Sequence, residues 1–89
     1  MDECRRSFLK SAGYAEETRI YMHGMGYDMV ERPAIDPYEP MVIKARMNLA
    51  VHPSVVSPKA YGHVCDNYLV KESGPPERIH KTEQKLFVL

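Results

Sequence analysis

Pro33, Pro37 and Pro40 fall within eight consecutive positions, in the run Glu-Arg-Pro-Ala-Ile-Asp-Pro-Tyr-Glu-Pro that spans residues 31–40. Each ring locks φ, removes a backbone donor and pushes the residue before it out of the helical region. Helix is therefore excluded there, and the run reads as an extended connector. It separates a helix-capable N-terminus from a remainder whose apolar residues alternate as strands do.

Ahead of the connector, Asp2 is placed to cap a helix, Glu3 suits its first turn, and Cys4, Phe8, Leu9 and Ala12 fall on one helical face. Gly13 is a natural stop. Arg5, Arg6 and Lys10 lie mostly on the other side, where a solvated face explains them.

Beyond the connector, residues 47–52 alternate large apolar side chains (Met47, Leu49, Val51) with smaller or polar ones (Asn48, Ala50, His52), the pattern of a strand with two unlike faces. Pro53 ends its pairing. His52 thus stands at the end of the less apolar face, where a strand presents a ligand to a cleft. A second strand is expected over residues 63–71, with Val64, Asp66, Tyr68 and Val70 on one face and His63, Cys65, Asn67 and Leu69 on the other. Ser73-Gly74-Pro75-Pro76 is a turn, residues 77–85 are polar, and residues 86–89 form an apolar tail expected to pack on the sheet or on a partner. With no internal repeat and no linker long enough to separate domains, residues 1–89 read as one unit.

Composition narrows the function classes. Twelve Lys and Arg against twelve Asp and Glu give a net charge of +0, so no long-range field favours nucleic acid or an anionic membrane surface. The longest apolar runs fall well short of the roughly 20 residues needed to cross a bilayer, and the N-terminal residues lack a signal peptide's apolar region. Cys4 and Cys65 are too few for a disulfide framework, so reduced thiols and a cytoplasmic setting are expected.

Chemistry concentrates in residues 21–33, where His23 is followed by Gly24, Gly26 and an acidic turn ending at Pro33. A histidine beside glycine has little bulk around it and can approach a metal or substrate closely, although a lone histidine is more often a hydrogen-bonded or surface residue. Met22, Met25 and Met29 read as packing material.

Three segments in order carry a resemblance: His23-Gly24-Met25-Gly26-Tyr27-Asp28 with Glu31-Arg32-Pro33, then residues 47–53, then residues 64–74. Together they resemble the C-terminal part of the creatinase/aminopeptidase superfamily, the "pita-bread" M24 metallopeptidases. That family's patterns are GHGxGxDxHExP, a GMxxxxEP strand and an RxEDxxxVxxxG strand. The resemblance implies an α+β fold, a partial pita-bread domain in which the N-terminal helix packs on a curved, mainly antiparallel sheet. It also implies a fragment of an Xaa-Pro peptidase-like hydrolase acting on a peptide or small amino-acid-derived substrate, with two divalent ions held by two aspartates, one histidine and two glutamates.

Carried over residue by residue, His23 stands on the family's metal histidine, while Val30 replaces the histidine of the VHE triplet. His52 replaces the glutamate of the EP pair, Cys65 the glutamate before Asp66, and His63 the arginine of RxED. His23, His52 and Cys65 then form the candidate metal set. Exchanging hard oxygen for nitrogen and sulfur favours a single ion over a pair, with zinc, manganese or iron the candidate metals. His63 is a candidate substrate contact, and no catalytic residue is assigned. Only 22 residues precede His23, too few for the two aspartate strands. The chain is therefore expected to be inactive alone and to associate with a second copy or a missing upstream half. The alternatives are a diverged creatinase- or lyase-like member, single-metal or metal-free, or a binding module without activity.

Overall fold

A computed structural model describes residues 2–15 and 19–89, the side chain of Asp2 excepted, so the capping role expected of Asp2 lies outside the described side chains. The fold is α+β: one helix, α1 (Asp2–Ser11), precedes strands β1 (Met22–Gly24), β2 (Glu31–Ala34), β3 (Asn48–Val51), β4 (Ser54–Val56), β5 (Tyr61–His63), β6 (Asp66–Leu69) and β7 (Glu77–Arg78). Five strands form one antiparallel sheet in the order β2-β1-β3-β6-β7, and β4 and β5 form a separate hairpin. No helix among the described residues is long and apolar enough to cross a membrane.

α1 stops where expected. Gly13 takes φ 82°, its N–H bonds to the Lys10 carbonyl at 3.1 Å, and the Tyr14 N–H reaches back to Leu9 at 2.9 Å, which closes the helix with a left-handed residue. The buried side is not the expected one, because Cys4 and Phe8 are exposed while Arg5, Arg6 and Leu9 face inward. Arg5 explains the inversion: its guanidinium lies 4.0 Å from the centroid of the Tyr21 ring, so a cation over an aromatic face docks the helix.

Side-chain alternation gives the large sheet two unlike faces. Met22 pairs with Val51, and Leu49 with Tyr68, which puts these apolar residues on one side. Tyr21, Met22 and Leu49 form the core cluster, with Ile35, Ile43, Met47, Val51 and Val70 packed against it. The other side carries the row His23, Ala50, Asn67, set by the pairings His23 with Ala50 and Ala50 with Asn67. There Asn67 donates to Asn48 at 3.1 Å and its carbonyl meets His80 Nε2 at 3.1 Å. The polar face anticipated for Asn48, Ala50 and His52 is this one.

The proline-rich run contributes β2 itself, with Pro33 fully buried and the Arg32–Pro33 peptide cis. An edge strand tolerates the missing donor. The strand expected over residues 63–71 is instead two strands in different sheets, β5 and β6. Pro53 accounts for the break: lacking an N–H it cannot continue the ladder, so β3 ends before it, β4 begins after it, and the facing chain breaks at Val64 and Cys65. The tail at residues 86–89 does not pack on the sheet, and Leu86, Val88 and Leu89 are almost wholly exposed.

Candidate functional site

His23 is placed by β1, in the middle of the polar face, and is only 9% exposed. Its Nδ1 lies 2.8 Å from the Gly24 carbonyl oxygen, so the Nδ1 proton is donated there and Nε2 keeps its lone pair. Gly24 is required for a reason the sequence did not disclose: a Cβ there would stand 2.5 Å from the Arg32 carbonyl oxygen of β2. The glycine serves the approach of β1 to its neighbour rather than the approach of a ligand to His23.

His52 follows the last residue of β3, and its backbone N–H donates to Tyr21 at 2.7 Å. The rings of His23 and His52 are 5.0 Å apart, tilted by 56°, and His63 stands 6.0 Å beyond His52. Burial lowers the His52 pKa below 6.5, and the neighbouring positive charges of His23, then His63 and Arg19, push the same way. His52 is thereby held as neutral imidazole near pH 7.

His63 comes from the β4–β5 hairpin, opposite Ser54. Its Nδ1 lies 2.9 Å from Ser54 Oγ, and the Tyr61 hydroxyl lies 3.2 Å from the same oxygen and 3.4 Å from the same nitrogen. Ser54 and Tyr61 escaped the sequence reading. The available signal was the pair of short runs either side of Ser57-Pro58-Lys59, whose turn is closed by Ser57 N–H to Ala60 carbonyl at 2.8 Å and Ala60 N–H to Ser57 Oγ at 3.0 Å. His52, Ser54, Tyr61 and His63 line one cleft of about 240 Å³ with Arg19, Ile20 and Tyr21.

Cys65 is exposed and borders a different cleft, together with His63, Asp66, Arg78 and His80. Thus His23 and His52 come together, His63 joins them, and Cys65 opens elsewhere. Among the described residues no three of His, Cys, Asp and Glu converge as a metal-holding group.

The sequence profile of metallopeptidase family M24 matches residues 1–72. The chain belongs to the M24 family. Two curated relatives are both named Xaa-Pro dipeptidase: that of Pyrococcus furiosus is 32% identical and that of Pyrococcus horikoshii 28%, each over 98% of this chain. The chain spans 25% of the length of either relative.

The paired metal ions that M24 membership implies can be tested against the donors present in this M24 chain. Where the family pattern has two glutamates, the chain has one imidazole, His52, and one thiol, Cys65, on another cleft. A carboxylate offers two oxygens that can bridge two ions, whereas an imidazole offers a single lone pair. The described residues therefore do not fit a metal pair.

Proposed function

We propose that this chain forms the substrate-side portion of an M24-type enzyme acting on a C–N bond of a peptide or small amino-acid-derived substrate, in a branch diverged from two-metal peptidase chemistry. One observation carries the reading: three imidazoles, His23, His52 and His63, stand in sequence along one site, and among the described residues no carboxylate lines the cleft that His52 and His63 share. A neutral imidazole suits proton transfer near pH 7, and burial favours that form of His52. His23 Nε2 is the proton acceptor, since its other nitrogen is committed to Gly24. His63 is the substrate contact. Residues 1–89 act as one unit in this scheme.

A second reading has one observation in its favour, the two relatives named Xaa-Pro dipeptidase. In it, a divalent ion (zinc, manganese or iron) binds through His23 and His52, with Cys65 recruited by rearrangement, and the substrate is an Xaa-Pro dipeptide.

Both readings are tested on the full-length protein by metal analysis and by assay against Xaa-Pro dipeptides and N-alkylated amino acids, before and after chelation. The first expects turnover that survives chelation and falls about 100-fold or more in His23→Ala. Stoichiometric metal with chelator-sensitive Xaa-Pro cleavage selects the second. An inactive protein that still binds these compounds, with His23→Ala unchanged in affinity, overturns both in favour of a binding module.

A further inference from the structure

We propose that Ser54, backed by Tyr61, is a positioning residue that keeps the His63 proton on Nε2, so that His63 meets substrate as a hydrogen-bond donor. The inference rests on the reading of His23 and His63 given above and sets the two imidazoles in opposite roles.

Which nitrogen of a neutral imidazole carries the proton is decided by the group that the other nitrogen meets. At His23 that group is the Gly24 carbonyl, which only accepts, so the proton stays on Nδ1. At His63 it is a hydroxyl: Ser54 Oγ lies 2.9 Å from Nδ1, and a hydroxyl both donates and accepts. The direction of that bond turns on Tyr61, whose Oη lies 3.2 Å from the same Ser54 oxygen.

Two head-to-tail arrangements satisfy the three groups. In one, Tyr61 donates to Ser54 and Ser54 donates to Nδ1, which leaves the ring proton on Nε2. In the other, every donor is reversed and Nδ1 is protonated. A phenol is a stronger acid than an alkyl hydroxyl and so donates better than it accepts, while an imidazole nitrogen is the strongest base of the three. Both preferences select the first arrangement. Ser54 is 7% exposed and must use its proton inside the triangle, whereas Tyr61 is 59% exposed and water serves the rest of its hydroxyl. The shorter of the two Ser54 contacts is the one to Nδ1, and Tyr61 Oη, 3.4 Å from Nδ1, is a second donor for the same lone pair. The Tyr61 ring also lies parallel to that of His63, within 9° at 6.1 Å, which holds the plane of the imidazole. Nε2 of His63 has no hydrogen-bond partner among the described residues and is the nitrogen left for substrate. An N–H there serves an acceptor oxygen, while His23, with its lone pair on Nε2, takes a proton.

The test is nitrogen NMR of the full chain, labelled at histidine, at about pH 9, well above the ordinary imidazole pKa of about 6.5. The His63 signals are assigned by their loss in His63→Gln. His63 is expected to carry its proton on Nε2, and His23 on Nδ1. Ser54→Ala should raise the share of Nδ1-protonated His63 about tenfold, the equivalent of one hydrogen bond, and Ser54→Thr, which keeps the hydroxyl, should restore the wild-type ratio. Tyr61→Phe, at an exposed position, should move the ratio by less, because the bond from Ser54 to Nδ1 remains. The amide spectrum checks that each variant is folded. A His63 ring protonated on Nδ1 in the wild type, or an unchanged ratio in folded Ser54→Ala, overturns the assignment, and the wild-type spectrum decides if Ser54→Ala does not fold. Because no turnover is read, the expected tautomers in a protein that fails every substrate assay uphold the positioning and overturn only the catalytic reading. Nδ1-protonated His63 in an active protein overturns only the positioning by Ser54.

Discussion

At the scale of single residues, the segment around His23 separates two demands that look alike in sequence. Gly24 and Gly26 both accompany the histidine, yet a Cβ at Gly24 would meet the backbone carbonyl of Arg32 at 2.5 Å, while one at Gly26 would meet only the end of the Glu31 side chain at 3.0 Å. A backbone oxygen in a sheet cannot step aside and a flexible carboxylate can. Gly24→Ala is therefore expected to destabilise the protein by about 1–3 kcal/mol and Gly26→Ala by clearly less, as urea unfolding will measure. Equal effects would mean that the close approach of β1 and β2 is not the cause. His52 gives a second expectation at this scale. Its folded pKa is depressed, so the stability it contributes is present above the unfolded value near 6.5 and is lost as pH falls through the lower folded value. Histidine-resolved NMR should find its midpoint below 6.5, and His52→Phe should flatten the acid side of the stability profile above that midpoint. A midpoint at or above 6.5 would contradict the burial seen for the ring.

At the scale of elements, β2 shows how a proline-rich run is made into a strand. Glu39 gathers the donors around it: Arg32 Nη2 at 2.6 Å, Ala34 N–H at 3.0 Å and Met41 N–H at 2.8 Å. The hydrogen bond from Arg32, followed by those from the amides of Met41 and Ala34, holds the Glu39 carboxyl down to about 2. A depressed carboxyl contributes stability above its unfolded pKa, near 4.5, and loses it as pH falls toward 2. Glu39→Gln should accordingly speed hydrogen exchange at the Ala34 and Met41 amides at pH 7, and the difference from wild type should shrink as pH falls toward 2, where the wild-type carboxyl is itself about half protonated. Unchanged exchange at pH 7 would remove Glu39 from this role. The sequence made β3 and the two-faced character of the sheet legible, because alternation at residues 47–52 is a property of the residues themselves. It did not disclose β1, three residues long and without alternation to read, nor the break at Val64 and Cys65, which is imposed by Pro53 on the facing strand. The helix face was misread for a related reason. Leu9 is buried as expected, but Arg5 finds Tyr21, a partner that no periodicity within the helix could reveal. At the site, His23, His52 and His63 could be named from their positions in motifs, whereas Ser54 and Tyr61 acquire meaning only when the hairpin register sets them beside His63.

At the scale of the whole molecule, the surface is too large for the mass. A folded monomer of 10.2 kDa should expose about 5,300 Å² by the usual scaling, yet this chain exposes 7180 Å². The surplus is comparable with the area one partner contributes to a stable protein interface, about 800 Å² or more. Much of the exposed surface is apolar. Phe8, Leu86 and Val88 are 69%, 89% and 86% exposed, and the half-buried Ile43, Val51, Tyr68 and Val70 border an open apolar cavity of about 380 Å³ on the sheet face opposite His23. Apolar surface of this extent favours association over solvation. The 89-residue chain is thus expected to self-associate, its sedimentation-average mass rising above 10.2 kDa with concentration. Replacing Leu86 and Phe87 by Ser should lower the association while leaving the amide signals of the β1–β3–β6 sheet in place. A mass of 10.2 kDa at every concentration, together with a single cooperative unfolding transition, would show that the open face is stable in water and that the surplus surface needs no partner.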